Sequence, residues 1–337
     1  MDMHGISVEQ PETLTRVDDL WFPTNIIVIR AENKIFRVLG GILEARSTVF
    51  RDMVAFPQPD DSEAERIDGF PVVRLLDSAE DVEVFLRAIF DSSYFMPAPV
   101  PFPMSAVLGI LRLSHKYDVP FLHRRALDHL VKDGWYWKAH DDDWTDHLTS
   151  RCGDQDFLAS ALSIIPAAIE VNAPWLLPSA YYCAATYSAE ELLPLLEGKK
   201  ALYALKALSA HAHLVRGLIT VENALTAYVE TCTNAEQCDR ARGLSLARVL
   251  SNLSEDSVSL RLSKDEIKRH SVRLTADGMC SKCLQSAAAR QHEATSAFWD
   301  ELPNIFRLQP WEDLHAMARA AMKEGPDEGI RASQQTN

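Results

Sequence analysis

The chain has 337 residues and a formal net charge of −14, from 34 Lys and Arg against 48 Asp and Glu. Nucleic-acid binding rests on clustered cations that neutralise phosphates; here only short clusters such as Lys264 to Arg273 exist, so direct contact with nucleic acid is not expected. A 47% hydrophobic share is ordinary for a globular protein, and no apolar run is long enough for a spanning helix, so no membrane partner is expected either.

The first residues are acidic and polar, with no basic segment leading into an apolar core. That pattern implies an intracellular protein, cytoplasmic or nuclear. Residues 1–18 read as a disordered lead-in. Ile26 to Ile29 is a β-branched apolar run that suits a buried strand. Glu32 and Asn33 supply turn chemistry, and Ile35, Phe36 and Val38 restart an extended run, so a hairpin is predicted. Ile42, Leu43, Val49, Phe50 and Met53 then fall at helical spacings, with Ser47 placed to cap a second short helix. Phe50 and Met53 are expected to share its core face.

Pro57 to Arg66 has no periodic apolar residues and reads as an exposed loop. Phe70 to Asp77 returns to a strand pattern. Asp77 and Ser78 offer caps for a helix whose apolar face is Val82, Phe85, Leu86, Ile89 and Phe90. The prolines between Met96 and Pro103 exclude helix. Val107, Ile110, Leu111 and Ser114 line the next helix. Phe121, Leu122, Leu127, Leu130 and Val131 line another, which Pro120 opens. Asp141 to Asp143 reads as a linker or helix start. Beyond about residue 150 the pattern is helical throughout, cut into short pieces by Pro166, Pro174, Pro178 and Pro194. No fixed period suggests a solenoid. Residues 325–337 read as a disordered tail.

Several of these stretches carry a resemblance. ARSTVFRDM, Ala45 to Met53, is similar to a string near the start of BTB/POZ domains. IDGFPVVRLLDSAEDVEVFLRAIFD, Ile67 to Asp91, and LRLSHKYDVPFLHRRAL, Leu111 to Leu127, resemble later parts of that domain as found in a large fungal group. WLLPSAYYCAA, Trp175 to Ala185, and FWDELPNIFRLQPWEDL, Phe298 to Leu314, resemble the extension that follows it there. The resemblance implies an α+β fold: a BTB/POZ domain over 19–135, with a small sheet flanked by helices, then an all-helical domain over 145–320. It also implies a non-catalytic protein–protein interaction protein. Such domains often self-associate into homodimers, and Trp21, Phe22 and Ile42 would lie near that interface. The alternative use is as a substrate adaptor that docks on the cullin scaffold of a ubiquitin ligase. At Asn25 and at Leu39-Gly40 the chain departs from the charged residues that transcription regulators of the family carry there.

Chemistry-bearing residues are few. Cys232 and Cys238 form a C-x5-C pair, and Cys280 and Cys283 a C-x2-C pair, with 41 residues between the pairs. Thiolates are good zinc ligands, and a C-x2-C turn lets two sulfurs reach one ion. Gly278 permits a tight turn just before the second pair. The first pair is more widely spaced than is usual for zinc. Two readings stay open: a structural zinc held by all four cysteines, or four reduced packing thiols. Cys152 and Cys183 are isolated and read as packing residues. His211 and His213 are two apart on a helix and do not share a face, which disfavours a metal role. No nucleophile elbow, phosphate loop, zinc-protease motif or dinucleotide fingerprint is present, so no catalytic residue is assigned and no enzyme is expected.

Overall fold

The computed structural model describes residues 25–55, 65–136, 155–187, 189–195, 201–253 and 271–322. The lead-in, Trp21 and Phe22, most of the Pro57–Arg66 loop, Asp141 to Asp143, Cys152 and the tail lie outside these residues, as does the expected boundary between 135 and 145 for the most part. The chain splits into two compact units. Of the described residues, one unit holds those up to Glu83 together with the turn Tyr117–Val119; the other holds Val84–Lys116 and those from Pro120 onward.

The first unit is built on β1, Ile26–Ala31, which pairs antiparallel with β2, Lys34–Leu39, in the register Ile26 opposite Leu39 and Ala31 opposite Lys34. Glu32, at φ 46°, makes the turn between them. Two short helices follow, α1 over Gly40–Arg46 and α2 over Thr48–Ala55. They belong to the crossover that returns the chain as β4, Phe70–Leu75, parallel to β1 with Val28 opposite Val72. β3, Arg66–Ile67, pairs antiparallel with β4, giving the sheet order β2-β1-β4-β3. β1 is central, which is why Ile27, Val28 and Ile29 are all buried and its sequence is a continuous apolar run.

Ser47 caps α2 as expected. Its Oγ accepts the Phe50 N–H at 3.0 Å and donates to the Tyr117 carbonyl. Phe50 is fully buried and stacks on the Tyr117 ring at 4.8 Å. The Tyr117 hydroxyl donates in turn to Asp77. Met53 departs from expectation: it is 37% exposed. Three residues from Phe50 it is rotated about 60° around a short helix, which puts it at the rim of the face that Phe50 centres.

Helix α3, Ala79–Phe90, is capped from two sides. Ser78 Oγ accepts the Asp81 N–H at 3.2 Å, and the Glu32 carboxylate accepts the Ala79 N–H at 3.1 Å. Val82, Phe85 and Leu86 are buried as expected, but Ala88 replaces Phe90, which is exposed at the edge of the apolar arc.

In the second unit, α4 over Met104–Lys116 buries Val107, Ile110, Leu111 and Ser114. α5, Pro120–Lys132, buries Leu122, Leu127 and Leu130 but exposes Phe121, which falls on the opposite face of the helix. α6 spans Gln155–Glu170. Pro166 lies inside it rather than ending it. An internal proline costs about 3 kcal/mol; burial of Ile164, Ile165, Ala167 and Ala168 around it outweighs that cost. Pro174 opens a 3-10 turn and Pro178 sits in the first turn of α7, Leu177–Ala185, a helix buried on every side. α8 is a single turn, Ala189–Leu192.

The long helices follow: α9 over Ala201–Thr226, α10 over Ala235–Leu253, α11 over Ser281–Ile305 and α12 over Trp311–Met322. α9 and α11 pack closely at Gly217, where a Cβ would sit 2.3 Å from the Phe298 ring. Tyr182 of α7 packs on Trp299 at 4.8 Å and Tyr181 on Phe306 at 5.4 Å. The two aromatic stretches singled out in the sequence thus meet in one core. The architecture is mixed α+β, with a small sheet in the N-terminal region and helices after it. Among the described residues no helix is long and apolar enough to cross a membrane.

Candidate metal centre

Each cysteine of the two pairs is placed by a helix terminus. Cys232 lies in the turn that follows α9, its N–H bonded to the Val229 carbonyl at 3.0 Å. Cys238 lies in the first turn of α10, where Asn234 accepts its N–H at 3.0 Å. After α10 the chain returns through a helical segment at 271–276 and turns at Gly278, φ +90°. The positive φ is what favours glycine there; a Cβ would also meet the Gln237 side chain, but that exposed amide can swing away. Cys280 is then the N-cap of α11 and Cys283 lies in its first turn. Two helix N-termini therefore point their positive ends at the sulfurs, which favours thiolate.

The four Sγ atoms lie within 4.8 Å of one another. Cys238 and Cys283 are buried, while Cys232 and Cys280 are partly so. Cys232 and Cys280 face each other at 4.0 Å, and the Cys280 N–H donates to Cys238 Sγ at 3.3 Å. Ala241, Leu274 and Met279 close an apolar shell around them, with Val229 and Leu284 at its margin. Arg248 clamps the returning chain by a two-pronged pair to Asp277, at 2.5 and 2.9 Å. Arg290 of α11 donates to the Ala227 and Tyr228 carbonyls beyond the end of α9.

The thiols are unlike one another. Hydrogen bonds from the Thr233 side chain and backbone hold Cys280 down to about 5. Burial pushes Cys283 up to about 12 and raises Cys238 as well. A divalent ion would supply the charge that keeps the buried pair ionised. The four residues could hold a metal ion; this is the arrangement that the sequence left open against scattered packing thiols. The donors are four sulfurs, which suits a soft or borderline metal and closes a tetrahedral shell, leaving no open position for a reacting group.

The remaining sequence candidates do not join this centre. Cys183 is buried in α7. His211 Nδ1 pairs with the Ala185 carbonyl at 2.8 Å, and His213 is exposed. Asn25 donates to Glu44 at 2.5 Å. The residue that sequence reasoning missed is Arg242, buried beside Cys283. Its position four residues after Cys238 places it on the same helix face, and that spacing was the available signal.

No protein-family model matches the chain, and no curated protein matches its sequence.

Proposed function

We propose that the chain is a non-catalytic protein–protein interaction protein, with a BTB/POZ-type N-terminal module and a helical module held by one structural zinc. The observation that carries the first half is the order of elements: hairpin, two short helices, a strand parallel to the first, then three helices through α5. That order is consistent with the small sheet flanked by helices that the resemblance implies. Among the described residues β2 is the outer strand at one end of the sheet, and it exposes Ile35 at 57% and Leu39 at 47%. An exposed apolar edge is a template for pairing with another chain. Light scattering of the full chain at micromolar concentration should give a dimer mass, and Ile35→Lys should shift it toward the monomer. A monomer at all concentrations, with no protein captured by the immobilised chain, would sink this reading. Capture of a cullin scaffold would move it to the ligase-adaptor use.

The second half rests on the sulfur geometry. Zn–S bonds of about 2.3 Å place tetrahedral sulfurs about 3.8 Å apart. Sulfurs already within 4.8 Å need only a slight contraction to reach that spacing. Metal analysis of the purified chain should give about one zinc per molecule, and Cys280→Ser should reduce it strongly. Preparations free of zinc that also refuse added zinc would return the cysteines to packing thiols.

A further inference from the structure

Arg242 is 8% exposed, the one Lys, Arg, Asp or Glu side chain that is buried among the described residues. One guanidinium nitrogen donates to Asp239 at 2.5 Å, another donates to Cys283 Sγ at 3.3 Å, and the group lies over the Tyr228 ring at 5.9 Å. Asp239 is itself 65% exposed, so solvent weakens its hold on the cation. Cys283 is buried. A neutral thiol is a weak acceptor, poor compensation for a buried guanidinium. A thiolate accepts a charge-assisted hydrogen bond and is adequate. The geometry thus sets a buried cation within hydrogen-bond reach of one of the four clustered sulfurs.

The charge count points the same way. Four thiolates around one divalent ion leave two surplus negative charges inside an apolar shell. Arg242 removes one of them. Groups beyond the ligands that orient and neutralise them typically change metal affinity by about 10–100-fold. We propose that Arg242 is the positioning residue of the four-cysteine site: its guanidinium offsets the charge of the assembled thiolates and aims Cys283 Sγ at the other three sulfurs. This rests on the metal reading given above.

The test uses the full chain and zinc alone as probe, in competition with a chromophoric chelator. Arg242→Met keeps much of the side-chain volume and removes the charge; it should weaken zinc binding by about 10–100-fold. Arg242→Lys restores the charge and should recover a large part of that loss. Melting of the chelated, metal-free chain should change much less than melting of the loaded chain, because the cation acts on the assembled thiolates. If Arg242→Met binds zinc within about twofold of the parent, the proposal is wrong. If it destabilises metal-free and loaded chains equally, Arg242 is a helix-packing residue and the proposal is again wrong. Should Arg242→Met fail to fold, the lysine variant decides: affinity within tenfold of the parent supports the charge role, and a greater loss overturns it. Failure of the metal reading itself looks different, because the unsubstituted chain would then take up no zinc at all.

Discussion

Single side chains in this protein are settled by whether their polar atoms and their volume are both accommodated. Phe50 satisfies volume: it is fully buried against Tyr117, and its own N–H is taken by Ser47. Phe50→Ala should therefore cost about 3–5 kcal/mol, as for other large buried aromatics. Denaturant unfolding followed by a probe in the first unit measures this; a loss under about 1 kcal/mol would mean that the cavity collapses and that Phe50 is not central. His123 is the opposite case. Its Nδ1 is buried without a partner among the described residues, and its ring lies 5.5 Å from that of His115. Burial first, and the neighbouring His115 second, lower its pKa from the usual 6.5. The unfolded chain then binds the proton more readily than the folded one. Stability from neutral His123 is present above pH 6.5 and is lost as pH falls through its depressed folded value. His123→Gln should flatten the fall in melting temperature between neutral and mildly acid pH. An unchanged acid limb would show that other groups govern it.

At the scale of elements, periodicity predicted existence better than facing. The hairpin, the Ser47 cap and the helices at Ala79, Met104 and Pro120 were all legible, because apolar spacing and cap chemistry are local. Met53, Phe90 and Phe121 were not, since each sits at the edge of an apolar arc or beyond it, and only the neighbouring element decides which edge is covered. Pro166 misled for the same reason: its cost is local, while the burial that offsets it is tertiary. The two cysteine pairs were visible as pairs, but their convergence depends on long-range contacts. Arg248 with Asp277 and Arg290 with the end of α9 are such contacts, and no local pattern announces them. Gly217 is similar: an ordinary helix glycine in sequence, it is where α9 meets Phe298 of α11. Gly217→Ala should destabilise the helical unit by about 1–3 kcal/mol through overpacking. Combining it with Phe298→Leu should recover part of that loss, since the clash is with the ring itself. Purely additive effects in a double-mutant cycle would show that the two helices yield elsewhere.

For the whole molecule the question is how a long helical chain with net charge −14 fixes its second half. The aromatic core around Tyr181, Tyr182, Trp299 and Phe306 holds α7 to α11. The far ends of α9, α10 and α11 meet at the cysteines, where the apolar shell is small. A metal there would act as a staple, since ion binding to the folded state alone adds RT ln(1 + [L]/Kd) to stability. At free zinc 1,000-fold above Kd that amounts to about 4 kcal/mol, a large share of an ordinary domain's net stability. A strong chelator should accordingly lower the melting temperature of the zinc-loaded chain, and added zinc should restore it. The effect should also depend on pH, with a definite sign. Burial keeps Cys238 and Cys283 protonated at neutral pH, so the ion must displace both protons. With at least two protons displaced, apparent zinc affinity should weaken by at least about 100-fold for each unit that pH falls. The gap between loaded and chelated melting curves should thus widen from mildly acid to mildly alkaline solution. A chelator-induced shift that is the same at both ends, or a Cys280→Ser chain that melts like the parent in zinc, would show that the four sulfurs hold no ion and that apolar packing alone closes this end of the helices.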